Sequence, residues 1–95
     1  MQDTTAKVST VEVAIVFPLS KRGDYHHKAH EHETIGKLRA AAMDHFHVQE
    51  EPGSEYYLTN DNDNDARLPD TDTVGQVAGE SETLELTLVK ELIQG

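Results

Sequence analysis

Two runs at opposite ends of the chain alternate apolar and polar residues with a period of two, and one long stretch between them repeats at a helical period. In "VEVAIVFP", Val11, Val13, Ile15 and Phe17 share one face while Glu12, Ala14 and Val16 share the other. β-Branched residues in that register specify a strand, and Pro18, which has no amide proton to donate, ends its ladder. In "TLELTLV", Leu84, Leu86 and Leu88 face one way, with Glu85 and Thr87 opposite. Leu84, Leu88 and Leu92 are also spaced four apart, a helical spacing that Gly95 would cap. Glu85 and Thr87 set between the leucines favour the strand, and few residues remain there for another packed helix. Two strands patterned this strongly are expected side by side in the middle of one sheet.

The helical stretch is "ETIGKLRAAAMDHFHV", where Ile35, Leu38, Ala42 and Phe46 line a single stripe. Thr34 is placed to cap it, since a hydroxyl there accepts a bond from an otherwise orphaned amide. The alanine run suits a helix interior, and Gly36 weakens only the first turn. Ahead of it, "LSKRGD" carries the Gly23–Asp24 turn signal, so "YHHKAHEHE" reads as the hairpin partner of the first strand. After it, "EEPGSE" is a loop, "YYLT" a short strand and "NDNDNDAR" a polar turn. "RLPDTDTVGQVAGESET" reads as an irregular crossing segment, with Leu68, Val74 and Val77 as its core contacts. The order strand, strand, helix, strand, crossing segment, strand implies one amphipathic helix laid across a mixed sheet, a two-layer α+β arrangement.

Composition narrows the function classes. The 95-residue chain is one domain, large enough to bury a core without staples. It has no cysteine, which excludes disulfides and thiolate metal sites and makes a reducing, cytoplasmic compartment the expectation. "MQDTTAKVST" has no apolar centre of the kind a signal peptide needs, and no run approaches a membrane span. Eighteen acidic residues against eight basic ones leave a formal charge of −10. Polyanions are bound by displacing counterions with Lys and Arg, so neither nucleic acid nor an anionic membrane surface is an expected partner. There is no serine in a nucleophile-elbow context and no glycine-rich phosphate loop, so an enzyme is not expected.

Three segments together resemble a ubiquitin-like β-grasp protein. "ETIGKLRAAAMDHF" is similar to that family's acidic-Thr-Ile helix start, "RLPDTDTVGQV" to the leucine, acidic turn and Thr-apolar segment before the last strand, and "ESETLELTLVKELIQG" to the closing strand with a short tail ending in glycine. The likeness runs from about Val11 to Gly95, in order. It implies a β-grasp fold with a mixed four- to five-stranded sheet under one main helix. The implied organisation is a disordered segment at 1–9, a ubiquitin-like domain at 10–90 and a flexible tail at 91–95. It also implies a small protein modifier or carrier, monomeric and without a cofactor, conjugated through Gly95 by activating and conjugating enzymes to a target lysine. Gln94 stands before Gly95 where conjugated members carry a second glycine, and "KELIQG" is acidic and apolar rather than arginine-rich. The alternative is a non-covalent binding module that uses the sheet face opposite the helix, where Tyr57, Thr87 and Val89 are expected to meet a partner protein.

Two further patterns invite cations. His26, His30 and His32 would share one strand face, and a His-x-His pair can grip zinc, but a solvated polar face is the simpler account. Asp61, Asp63 and Asp65 occupy the first, third and fifth places of a calcium loop, yet Ala66 stands where the sharp turn needs glycine and Pro69 takes the ninth place. Neither zinc nor calcium is expected to bind specifically.

Overall fold

The computed structural model describes residues 10–93. Five strands and two helices follow one another as β1 (Thr10–Val16), β2 (Tyr25–His30), α1 (Ile35–His45), β3 (Ser54–Asn60), β4 (Ala66–Leu68), α2 (Val74–Ala78) and β5 (Thr83–Leu92). They form one mixed sheet in the order β2-β1-β5-β3-β4. The first and last strands lie side by side and parallel, with Ile15 opposite Leu86, as their matched alternation requires. β2 and β3 then add antiparallel on either side of that pair.

One face of the sheet builds the core. Val11, Val13, Ile15 and Phe17 from the first strand and its exit meet Leu84, Leu86 and Leu88 from the last, and all are buried against Ile35, Leu38, Ala42 and Phe46 of the helical stripe. Phe17 and Phe46 close one end with ring centroids 5.5 Å apart, a tilted packing that favours the ring edges. The helix starts as its sequence dictates, with the Thr34 hydroxyl accepting the Lys37 amide at 3.2 Å.

Gly36 has a role beyond local weakening. A Cβ there would stand 3.0 Å from the Asp70 Cβ and 3.3 Å from its carbonyl oxygen, and the Gly36 amide donates to that oxygen at 3.1 Å. The missing side chain lets the start of α1 lie directly on the segment after β4. Arg39 fastens the same junction, its Nε and Nη2 donating to the two carboxylate oxygens of Asp70 at 3.0 and 2.7 Å while Nη1 reaches Glu50 at 2.9 Å. The Arg39 hydrogen bonds hold the Asp70 carboxyl below its ordinary range.

Three details differ from the sequence reading. The crossing segment is not wholly irregular: Ala66–Leu68 pairs with β3, and Val74–Ala78 forms a short helix. That helix is held by a reciprocal cap, in which Thr73 accepts the Gln76 amide and the Gln76 side chain accepts the Thr73 amide. Second, β2 stops at His30, so His32 lies in the following turn rather than on the strand face with His26 and His30. Third, β5 continues through Leu92, because β3 begins as early as Ser54 and pairs with it. Glu91 and Leu92 therefore belong to the sheet and not to a flexible tail starting at 91. The polar turn between β3 and β4 is as expected, with Asn64 and Asp65 at positive φ (52° and 56°), a conformation that Asn and Asp tolerate.

Candidate functional site

The sheet face away from α1 carries no second layer among the described residues. The register decides what it displays. Tyr57 on β3 is the direct partner of Val89 on β5, and two residues along the ladder Thr59 is the partner of Thr87. Thr87 is also opposite Val16 on β1. Tyr57, Thr87 and Val89 are thus brought together as one half-buried patch, extended by Val16 and then by Ala14.

Polar groups fix the surroundings of that patch. The Thr87 hydroxyl donates to the Asp61 carboxylate at 2.7 Å, tying β5 to the turn after β3. Arg67 on β4 lies over the Tyr57 ring, 4.1 Å from its centroid, and is ion-paired with Glu55. The hydrogen bond that the guanidinium donates to Glu55 holds it still more firmly protonated. A cation stacked on an aromatic face is favourable, so the guanidinium covers one face of the Tyr57 ring. Arg67 was not anticipated at this site. The signal was the antiparallel register through the Asn/Asp turn, which sets Arg67 opposite Thr59 and diagonal to Tyr57.

At the other end of the patch, the strand pairing is unequal. β1 accompanies β5 only as far as Thr87, whereas β3 accompanies it to Leu92. Past Thr87 the strand is flanked on one side, and Leu92 (71% exposed) and Ile93 (52% exposed) stand out into solvent. The Ile93 amide donates to the Gly53 carbonyl at 2.8 Å, which sets the direction of the chain as it leaves the sheet. Gly95, the expected point of conjugation, lies outside the described residues.

The histidine and aspartate patterns do not gather into a metal centre: among the described residues, no three His, Asp or Glu side chains converge on a common point. His26 is opposite Ala14 and His30 opposite Thr10, with Lys28 between them on the same edge strand. Asp61 is engaged with Thr87, and Asp63 and Asp65 donate their amides to the Asn60 carbonyl as part of a tight turn.

No protein-family model and no curated protein matches the chain. Solved structures are similar to it in shape. A Caldiarchaeum subterraneum ubiquitin superposes with a TM-score of 0.66 at 16% sequence identity, over 90% of this chain and 99% of that one. A Trypanosoma brucei ATG8 gives a TM-score of 0.64 at 14% identity, over 92% of this chain and 78% of that one. The ubiquitin-like domain of an Arabidopsis thaliana protein gives 0.59 at 17% identity, over 100% and 89%. With the sheet order, the single long helix and the parallel pairing of first and last strands, these likenesses establish that the chain has the ubiquitin-like β-grasp fold.

Proposed function

We propose that this chain is a ubiquitin-like modifier or carrier, joined to a lysine of a target protein through Gly95. The observation that carries the reading is the one-sided end of β5, where β1 stops at Thr87 and the strand runs on to an exposed Leu92 and Ile93. A strand end flanked on one side in that way offers its unpaired edge and two apolar side chains to an activating enzyme. Glycine at its end has no Cβ to obstruct a narrow channel. The Gly95 carboxylate would attack the α-phosphate of an ATP held by that enzyme, forming an acyl-adenylate with release of pyrophosphate. A cysteine of the enzyme, since this chain has none, would displace AMP to form a thioester, and a lysine amine would displace the thiol to leave an isopeptide bond. The chain would act as a monomer in the cytoplasm, with no catalysis or cofactor of its own.

The test is expression of the chain with an N-terminal tag in its native host, beside a version lacking Gly95. Slower-migrating bands that survive boiling with reductant and vanish without Gly95 are expected. Identical patterns from the two versions would remove the conjugation reading.

A second reading, a non-covalent binding module, is favoured by the register that assembles Tyr57, Thr87 and Val89 on the open face. It does not require Gly95, so it survives a negative result in the conjugation test.

A further inference from the structure

β2 lies at the edge of the sheet, and among the described residues no strand pairs with its outer side. His26, Lys28 and His30 alternate along it and are all exposed, while Ala29 is buried in the core and Tyr25 packs against it. His27 shares the inner side, and its Nε2 is engaged with Glu33 at 3.0 Å. The imidazoles of His26 and His30 make no hydrogen bond or ion pair among the described residues. The strand is therefore symmetric about Lys28, with one free histidine two residues away on either side. Within one chain the two are four residues apart, roughly 13 Å at the strand rise, too far to share an ion.

A second copy of the chain removes that separation. An unpaired strand edge is a template for another strand, and an antiparallel pairing of two β2 strands about Lys28 sets His26 opposite His30 of the second copy, and His30 opposite its His26. Directly opposed residues share a face with Cβ atoms about 4.5–5.5 Å apart, a span that one zinc ion bridges through two imidazole nitrogens. Neighbouring registers do not do this: centred on His27, the pairing sets His26 against Lys28, and centred on Ala29 it sets Lys28 against His30. Glu12 is the partner of Lys28 on β1 and so lies diagonal to both histidines, where it brings a carboxylate. The small Ala14 opposite His26 leaves a hollow of about 340 Å³, walled by Glu12, His26, Lys28 and Glu85, with room for water to complete the coordination. Without metal the pairing is opposed, since the two Lys28 ammonium groups meet at the axis and each chain carries a formal −10. Two divalent cations offset that acidity.

We propose that β2 is half of a zinc site: two copies pair antiparallel through β2 about Lys28 and hold two zinc ions, each between His26 of one copy and His30 of the other, with Glu12 as a further ligand. The pairing uses neither Gly95 nor the Tyr57 face, and it leaves the metal-free chain a monomer.

The experiment is sedimentation equilibrium of the full, untagged chain with and without zinc chloride, together with a count of bound zinc. The mass of one chain is expected without zinc, and with it twice that mass and one ion per chain, reversed by a chelator. His26→Ala and His30→Ala each leave a single imidazole at every site, so each variant alone should stay monomeric in zinc. An equimolar mixture of the two should regain zinc-dependent dimers, because a mixed pair rebuilds one intact site. That recovery also shows both variants to be folded. Lys28→Thr removes the opposed ammonium groups and should tighten the zinc-dependent pairing by up to about fivefold. Zinc taken up by a chain that stays single, dimers formed equally well by either variant alone, or no recovery in the mixture would overturn the shared site. Pairing that is equally strong without zinc, or no zinc uptake at all, would overturn the metal assignment.

Discussion

The two halves of β5 are built from one alternating pattern and end in different environments. From Thr83 to Thr87 the strand is zipped to β1, and from Leu86 onward to β3, so Leu86 and Thr87 are flanked on both sides. Leu84, Leu86 and Leu88 are shut beneath the helical layer. Leu92 occupies the same side of the strand by alternation, yet it is 71% exposed and stands outside the core cluster that Leu84, Leu86 and Leu88 join. Period two thus specifies a side of the sheet, and burial depends on what lies above that side. The first half supplies the hold of the fold, and the second presents a surface and an arm.

That contrast can be broken in graded ways. Leu86→Ala removes a side chain with no exposure from the point where both zips meet, and should cost about 2–5 kcal/mol of unfolding free energy in denaturant titration. A loss of under ~1 kcal/mol would mean that the doubly flanked segment is not the centre of the core. Arg39→Ala should cost less, on the order of 1 kcal/mol, because both of its carboxylate partners are largely exposed and water screens the pairs.

The same change carries a pH signature. Arg39 depresses the Asp70 carboxyl below its ordinary value of 3.8, so its stabilisation is complete above that value and fades as pH falls through the lowered one. The gap in stability between the parent chain and Arg39→Ala is therefore expected to narrow on acidification below the ordinary carboxylate range. A gap that widened would have the sign wrong. The smallest effect belongs to Leu92→Ser, which should stay within about 0.5 kcal/mol although it lies on the same side of the strand as Leu86. A core-sized loss at Leu92 would place the arm inside the fold.

How much of this was legible in the sequence follows from element length. β1, β5 and α1 are long enough for their periods to register, and Thr34 marks the helix start, so the two-layer arrangement and the side-by-side placement of the terminal strands could be read directly. β4 has three residues and α2 has five, too few to display a period, although the Thr73–Gln76 capping pair was a usable sign of the helix. The end of β5 was misplaced because strand length is set by the partner: nothing in "KELIQG" announces that β3 begins at Ser54 and pairs as far as Leu92. At the candidate site, alternation alone put Tyr57 on the open side, and the last strand put Thr87 and Val89 there. The guanidinium over Tyr57 and the opposed pair Glu55 and Glu91 depend on register between strands, which sequence periodicity does not encode.

Residue-by-residue amide hydrogen exchange along β5 tests the central claim most directly. The account predicts the strongest protection at Leu86 and Thr87, where the two ladders meet, and a steady fall toward Glu91 and Leu92, where a single partner strand and open solvent flank the chain. Uniform protection through Leu92, or rapid exchange at Leu86, would contradict it.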